Sequence, residues 1–349
     1  MHNPEEFLVA HYDIELTPSG ETFYAEPDEN VLDAALRAGI LLPYGCRNGA
    51  CGSCKGKILT GEIGYDADEP VALTDAERRA GWALLCQAKP KSGLRIEADP
   101  INRDGGVQAR NLPVRVFKKT LLADDVMQLE LQLPPTERLQ FLAGQYIDIV
   151  MRDGRRRAFS LANSPHHDGA LTLHIRHVPG GSFSGHVFGE LKARALMRIE
   201  GPLGGFYLRE SARPAILIAG GTGFAPIKSI VESALFEQST RTLHIYWGAR
   251  ARDDLYLHDT ATEWSQHVHL TYTPVLSEPK DDDSWTGRTG FVHTAVLEDF
   301  PDLGAYDIYA SGPPIMVNAI RDGFPGSGAD IERIFSDSFD YAFETGHDA

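Results

Sequence analysis

The amino end of the chain alternates short apolar and polar segments in a pattern typical of a small α+β domain. Residues 7–16 and 22–25 are strand-like and flank a Thr-Pro-Ser-Gly turn. Asn30 is a suitable N-cap for the helix that follows, which has an apolar stripe over residues 31–36 and is ended by Gly39. We therefore predict two strands and a helix within the first 40 residues.

The middle of the chain, residues 112–210, has a hydrophobic period of two. Every second residue is apolar over residues 126–133, and the same alternation occurs over residues 171–176. The short predicted strands have no long helix between them. This pattern favours a small antiparallel β-barrel.

After Pro214 the pattern changes to strands that alternate with helices. The first predicted strand is followed by a helix over residues 224–236, and Pro313 is placed to open another helix over residues 315–321. The alternation predicts a parallel, doubly wound α/β sheet that binds ligands at the carboxyl ends of its strands. The predicted strands are residues 215–219, 243–247, 268–274 and 306–310.

These patterns divide the chain into three predicted domains, residues 1–98, 112–210 and 211–349. An aperiodic linker containing Gly105-Gly106 covers residues 99–111. A chain of 349 residues is also too long for one ordinary domain. Charge alternates in the same blocks: 9 basic and 17 acidic side chains in residues 1–100, 15 and 11 in residues 101–210, and 9 and 21 in residues 211–349.

Net charge and hydropathy exclude two classes of partner. A net charge of −16 makes nucleic-acid binding unfavourable. The sequence contains no apolar run near the roughly 18–20 residues that a membrane span needs. The first residues lack the basic start and apolar core of a secretory signal. We expect a cytoplasmic protein without membrane insertion.

The cysteines carry the strongest chemical signal. All four lie within the first 86 residues, in a C-x4-C-x2-C cluster with one cysteine far downstream, which is the spacing of a plant-type [2Fe–2S] site. Small residues between them allow backbone N–H groups to turn toward the sulfurs. Structural zinc, disulfides and four thiols without metal remain as alternatives. The candidate ligands are Cys46, Cys51, Cys54 and Cys86.

Two segments of the middle domain carry groups suited to a dinucleotide. Residues 157–163 (Arg-Ala-Phe-Ser-Leu-Ala-Asn) and 174–184 (His-Ile-Arg-His-Val-Pro-Gly-Gly-Ser-Phe-Ser) supply two guanidiniums for diphosphate oxygens. They also supply an aromatic ring, hydroxyls and a Gly-Gly turn with exposed N–H donors. The alternative is a barrel strand with solvated arginines. His174 and His177 suit a structural role as well as a ligand contact.

The third domain carries a glycine-rich loop at residues 220–223, between a predicted strand and a predicted helix. This arrangement is the usual platform for a pyrophosphate at exposed backbone N–H groups. By itself it is a weak signal, because glycine-rich turns without a nucleotide are common. Residues 248–250 and 311–314 follow two further strands and strengthen the prediction, since parallel strands end at the same edge.

Together, these motifs resemble the ferredoxin–NADP reductase superfamily over about residues 7–339. The family's Arg-x-Tyr/Phe-Ser-x-x-Asn motif matches residues 157–163, and its Gly-Gly-Thr-Gly-x-x-Pro loop matches residues 220–226. The resemblance implies a β-grasp ferredoxin domain, an antiparallel β-barrel FAD domain and an α/β doubly wound parallel-sheet NAD(P) domain. The chain departs from the family in having Ser311 for a cysteine, Asp337 for a glutamate and Phe159 for a tyrosine.

The resemblance assigns residues to two nucleotide sites. The residues implied for FAD are Arg157, Phe159, Ser160, Leu161, His174, Ile175, Arg176, Gly181, Ser182, Phe183, Ser184, Thr222 and Phe339. Those implied for NAD are Gly220, Gly221, Thr222, Gly223, Pro226, Gly248, Arg250, Ser311, Gly312, Pro313 and Met316. The implied catalytic residues are Ser160, Ser311 and Asp337. Asp253 and Asp254 lie close to Arg250 and would repel a 2′-phosphate, which favours NADH over NADPH.

The implied function is electron transfer from NADH through FAD and a [2Fe–2S] cluster to a partner protein. A flavin is needed because the nicotinamide gives two electrons and the cluster takes one at a time. We expect the partner to be the terminal oxygenase of a multicomponent mono- or dioxygenase, or another iron–sulfur acceptor. Residues 201–204 and 219–228, with Ser311, also resemble reductases of an iron–sulfur CDP-sugar dehydrase (CDP-6-deoxy-glucoseen reductases).

Two other classes of function stay open at this stage. One is a non-catalytic redox-sensing module with vestigial nucleotide sites, to which the departures at Ser311 and Asp337 point. The other is a free-standing flavin reductase, which would leave the cysteine domain without a purpose.

Overall fold

The structure is a computed structural model of the chain. It describes residues 11–338 except 41, 45, 46, 48, 50, 51, 67–69, 71, 99, 101–108, 168 and 281–283. The chain separates into two compact units, residues 1–106 and 107–349. Among the described residues, no helix is both long enough and apolar enough to cross a membrane.

The first unit is a five-stranded mixed sheet covered by a short helix, as expected of a β-grasp domain. The strand order is β2-β1-β7-β3-β5, with β1 parallel to β7 and the other neighbours antiparallel, and β4 pairs with β6 separately. The elements are β1 (Tyr12–Thr17), β2 (Thr22–Ala25), α1 (Val31–Arg37), β3 (Lys55–Thr60), β4 (Ile63–Gly64), α2 (Asp75–Arg79), β5 (Trp82–Leu84), β6 (Lys89–Pro90) and β7 (Leu94–Glu97).

The two ends of helix α1 are set by residues next to it in the sequence. The Asn30 side chain accepts a hydrogen bond from the backbone N–H of Asp33 at 2.8 Å, which satisfies one of the open donors of the first turn. Gly39, with φ of +79°, ends the helix in the left-handed conformation that glycine tolerates best. Both features confirm the sequence prediction. The predicted strand over residues 7–16 is described only from residue 11, and β1 extends to Thr17.

The middle of the chain forms a six-stranded antiparallel sheet in the order β11-β10-β13-β8-β9-β12. An isolated antiparallel bridge between Leu161 and Leu173 joins its two edges and closes it into a barrel. Its core draws on most of these strands and includes Met127, Leu129 and Leu131 of β9 and Leu171, Leu173 and Ile175 of β12, which confirms the period of two there. The elements are β8 (Arg110–Ala123), β9 (Val126–Gln132), β10 (Tyr146–Val150), β11 (Arg156–Ser160), β12 (Leu171–Arg176), α3 (Ser182–Phe188) and β13 (Leu196–Leu203).

The last part of the chain is a six-stranded parallel sheet in the order β17-β16-β15-β14-β18-β19. Apolar clusters cover both of its faces, so it is doubly wound as predicted. The elements are β14 (Ala215–Gly220), α4 (Phe224–Phe236), β15 (Leu243–Ala249), α5 (His258–Trp264), β16 (Leu270–Leu276), β17 (Arg288–Thr289), α6 (Val292–Asp299), β18 (Asp307–Gly312), α7 (Pro314–Gly323) and β19 (Ile334–Ser338).

Some predicted boundaries are wrong. The strand predicted over residues 268–274 begins and ends two residues later, because Val268 is 89% exposed in the turn before it. Ser311 and Gly312 belong to strand β18, and Pro314 occupies the first helical position, so Pro313 is only the N-cap of α7. The exact limits of the three domains stay a prediction, and most of the predicted linker lies outside the described residues.

Candidate functional site

In the parallel sheet of residues 215–338, the order in which strands are added reverses at β14. From β14 the chain adds β15 on one side and, later, β18 on the other, and all three strands run parallel. Such a switch in strand order opens a crevice at the carboxyl ends of the strands, which is where ligands bind in this class of sheet. Gly220 is the last residue of β14 and residues 221–223 follow it, while Ser311 and Gly312 end β18. Sequence-predicted nucleotide residues therefore meet at one crevice.

Glycines allow the loop after β14 to pack closely against the end of β18. A Cβ atom on Gly223 would lie 2.0 Å from the carbonyl oxygen of Ser311, and one on Gly220 would lie 2.8 Å from the sulfur of Met316. Residues 221–223 (Gly-Thr-Gly) form a single 3-10 turn that continues into α4. Pro226 lies in the first turn of α4 and is buried. Gly223 is thus required by the close approach of two backbone segments, and Gly220 by the side chains of Pro313 and Met316.

The three predicted catalytic residues come together where the barrel meets the nucleotide sheet. The Ser160 hydroxyl, at the end of β11, donates a hydrogen bond to Oδ2 of Asp337 in β19 at 3.3 Å. Asp337 is the register partner of Ser311 in the neighbouring strand. All three side chains are buried, and the Ser311 hydroxyl and the neighbouring Ser338 hydroxyl have no hydrogen-bond partner among the described residues. Buried hydroxyls without partners fit a ligand that supplies them.

Arg176 has the geometry expected of a diphosphate ligand. Its Nη1 atom lies 3.2 Å from the carboxylate of Asp125, and its Nε and Nη2 atoms are buried with no hydrogen-bond partner among the described residues. A Cβ atom on Gly221 would lie 3.4 Å from Nη2, so the guanidinium lies over the glycine turn. Unpaired guanidinium donors are costly to bury, and an anion at this position would satisfy them.

His174 lies on the same face of β12 as Arg176. Its Nδ1 atom is 3.1 Å from the hydroxyl of Tyr256, and its Nε2 atom has no partner among the described residues. Burial, assisted by the charge of Lys228, lowers the pKa of His174 to about 3. The imidazole is therefore neutral near pH 7. The contact with Tyr256 joins strand β12 of the barrel to the segment after β15. The predicted flavin contact of His174 stays a prediction.

The other predicted flavin residues divide into side chains that face the site and side chains in the barrel core. Arg157 and Phe159 share the partly exposed face of β11, and Phe159 packs against Phe183 with ring centroids 5.3 Å apart. Gly181 is the N-cap of α3, followed by Ser182, and the Ser184 hydroxyl accepts a hydrogen bond from the Val178 N–H at 3.1 Å. Three residues have core side chains and could contact a ligand only through their backbone: Leu161, Ile175 and Phe183. Phe339 lies outside the described residues.

Two of the four predicted cluster ligands are described. The Sγ atoms of Cys54 and Cys86 are both buried and lie 3.1 Å apart, too far for a disulfide at about 2.0 Å and close enough to bind one metal ion. Cys46 and Cys51 lie outside the described residues. The side-chain amide of Gln87 donates to the backbone carbonyls of Arg47 and Cys86, at 3.0 and 3.1 Å. It ties the cysteine loop to the segment of the fourth cysteine.

A second contact also fixes the cysteine loop. Arg47 has φ of +59°, a backbone conformation that is uncommon for residues other than glycine. Its guanidinium forms an ion pair with Asp33 of helix α1, whose other carboxylate oxygen accepts from the Asn30 amide at 2.7 Å. Local strain of this kind persists only where surrounding contacts maintain it. The donor set and the anchored loop fit an iron–sulfur cluster.

Sequence reasoning did not identify three residues that shape the nucleotide site. The indole N–H of Trp247 donates to the Gly221 carbonyl at 3.0 Å, and its ring stacks on Phe224 with centroids 3.7 Å apart. Tyr256 contacts His174, and Asp125 contacts Arg176. Each contact joins residues distant in sequence, so no local pattern marks them. The position of Trp247 at the end of an apolar predicted strand was the one indication that the sequence offered.

The fold and the site define an iron–sulfur flavoprotein oxidoreductase that transfers electrons. Three domain models match: the 2Fe-2S iron-sulfur cluster binding domain over residues 14–91, the oxidoreductase FAD-binding domain over 113–207 and the oxidoreductase NAD-binding domain over 217–322. The CDP-6-deoxy-L-threo-D-glycero-4-hexulose-3-dehydrase reductase of Yersinia pestis is 42% identical over 93% of this chain and 98% of its own length. The chain belongs to this family of three-domain iron–sulfur flavoprotein reductases.

Other relatives of the chain are named for oxygenases. The phenol hydroxylase P5 protein of Acinetobacter pittii is 36% identical over 88% of both chains. The crystal structure of an Amycolatopsis cytochrome P450 reductase is 34% identical, with a TM-score of 0.76 over 94% of this chain and 98% of that one. These similarities confirm the predicted [2Fe–2S], FAD and NAD domains and the predicted electron-transfer function, but they do not separate NADH from NADPH.

Proposed function

We propose that the chain carries electrons from NADH to the terminal oxygenase of a multicomponent mono- or dioxygenase in the cytoplasm. The observation that carries the proposal is the meeting of Ser160, Asp337 and Ser311, because it brings a barrel residue and two sheet residues to one buried point. Relatives named for phenol, terephthalate and xylene oxygenases support the partner class.

In this proposal the residues of the site bind and orient two nucleotides. Arg176 and Arg157 bind the FAD diphosphate, and the glycine turn at 221–223 accepts the nicotinamide nucleotide beside Ser311. A bound flavin would supply two-electron uptake from the nicotinamide and one-electron release to the cluster. Ser160 keeps its hydroxyl proton directed at Asp337 Oδ2. Burial of these side chains excludes water from the point of transfer.

The proposed preference for NADH depends on the carboxylates around Arg250. Its Nε atom lies 3.5 Å from Asp254 in the turn after β15, where a 2′-phosphate would need a free cation. Rates of flavin reduction with each coenzyme test this part. A higher kcat/KM for NADPH than for NADH would reject it.

A second candidate partner is an iron–sulfur dehydrase that acts on a CDP-sugar. The 42% identity to the Yersinia pestis dehydrase reductase favours it. Reconstitution separates the two candidates: the holoprotein is mixed with NADH and either an aromatic-ring oxygenase and its substrate, or the dehydrase and its CDP-hexulose. Hydroxylated arene supports the oxygenase, and deoxygenated sugar supports the dehydrase. A holoprotein unable to reduce ferricyanide with NADH would instead support the redox-sensing alternative.

A further inference from the structure

The turn between β8 and β9 places a carboxylate beside both proposed nucleotide sites. Asp125 precedes Val126, which is the register partner of Arg176 in β12. Its backbone carbonyl accepts a hydrogen bond from the His177 N–H at 2.7 Å, so the turn is fastened to the end of β12. The position of Asp125 is therefore set by the barrel itself.

The side chain of Asp125 determines which edge of Arg176 faces the site. Its Oδ2 atom lies 3.2 Å from Nη1 of Arg176, whose side chain is only 17% exposed. This ion pair engages the Nη1 end of the guanidinium, whereas Nε and Nη2 have no hydrogen-bond partner among the described residues and stay available for another anion. A guanidinium presents its donors in a fixed plane, so a carboxylate on one edge orients the remaining donors. Without that carboxylate, Arg176 would lose its fixed direction.

The same carboxylate oxygen also faces the nucleotide sheet. Oδ2 of Asp125 lies 4.0 Å from Nη2 of Arg250, which follows β15 and is 61% exposed. Arg250 also contacts Asp254 through its Nε atom at 3.5 Å. Two carboxylates thus reduce the attraction of Arg250 for phosphate, and one of them belongs to the barrel.

We propose that Asp125 is a positioning residue that orients Arg176 for the FAD diphosphate and at the same time screens Arg250 in the nucleotide site. It therefore strengthens flavin binding and weakens nicotinamide-nucleotide binding through one carboxylate. The inference rests on the proposed assignment of Arg176 to FAD and of Arg250 to the nucleotide. It predicts opposite effects on the two ligands, which a simple loss of structure would not produce.

Asp125→Asn and Asp124→Asn form a matched pair that tests the proposal. Asp124 is the preceding residue of the same turn, its side chain is exposed, and the two variants change the net charge equally. FAD affinity is measured by quenching of flavin fluorescence on titration into flavin-free protein, and NAD⁺ affinity by calorimetry on flavin-loaded protein. Asp125→Glu, which keeps the carboxylate, should restore most of the FAD affinity.

For Asp125→Asn the Kd for FAD should rise roughly tenfold, because Arg176 loses its ion-pair partner and with it the fixed direction of its remaining donors. The Kd for NAD⁺ should fall by about threefold, since the pair with Arg250 is partly exposed. Asp124→Asn should change neither Kd by more than about twofold. An unchanged affinity for either ligand, a joint loss of both, or the same pair of changes in Asp124→Asn would overturn the proposal. Wild-type protein that binds no FAD would instead refute the proposed function.

Discussion

Replacing Gly223 with alanine should separate the two backbone segments that form the nucleotide crevice. The new methyl group would lie 2.0 Å from the carbonyl oxygen of Ser311 and 2.4 Å from its carbonyl carbon, whereas ordinary contacts begin at 3.4 Å. Both obstacles are backbone atoms of strand β18, so no side chain can rotate away. One segment must therefore move by more than about 1 Å.

A displacement of this size should act mainly on the rate of electron transfer. A misplacement of about 1 Å can reduce the rate of an enzyme reaction roughly a hundredfold, since reacting groups must be held in a narrow geometry. We expect a loss of that size in the rate at which NADH bleaches the flavin absorbance, measured by stopped-flow. The strain should also lower the free energy of unfolding by about 1–3 kcal/mol.

Gly323→Ala is the matched control for this experiment. Gly323 is the last residue of α7, its backbone is helical with φ of −89°, and a methyl group there would meet open space. It should leave the rate unchanged and stabilise the protein by at most about 1 kcal/mol. A Gly223→Ala protein that is folded, loaded with flavin and reduced by NADH at the wild-type rate would refute the reasoning.

Three further substitutions probe other parts of the molecule. In the folded wild-type protein His174 stays neutral, whereas in the unfolded chain it gains a proton below about pH 6.5. The free energy of unfolding therefore decreases as the pH is lowered from about 6.5 to about 3. Between pH 7 and pH 5.5 the free energy of unfolding measured with urea should decrease by about 1 kcal/mol because of His174. The same decrease in His174→Gln would contradict this assignment. Gln87→Leu removes the hydrogen bond to the Arg47 carbonyl that anchors the cysteine loop, together with the one to the Cys86 carbonyl, and should speed loss of the cluster absorbance about tenfold. An unchanged rate argues against the anchor. Asp307 is fully buried between Arg241 and Arg333, so Asp307→Asn should lower the free energy of unfolding by about 3 kcal/mol, and a change under about 1 kcal/mol would show that the arginines find other partners.

Sequence patterns were sufficient where the physics is local. The period of two in β9 and the Asn30 cap of α1 depend on residues within one turn or one strand pair, so the strand and the helix follow directly from the sequence. The cysteine spacing also predicts a cluster site, because the ligands must reach the same irons. Strand limits were less accurate, since β16 and β18 extend as far as their neighbours in the sheet provide hydrogen bonds.

The sequence by itself determined the order of the three domains, the chemical groups of each and the loops that carry them. Only the tertiary structure decided that Ser160 and Asp337 meet at 3.3 Å, that Gly223 touches the backbone of Ser311, and that Asp125 faces two arginines. These contacts join residues that lie far apart along the chain, and their geometry depends on how the barrel packs on the sheet. Such packing is the sum of many weak contacts, which no single motif encodes.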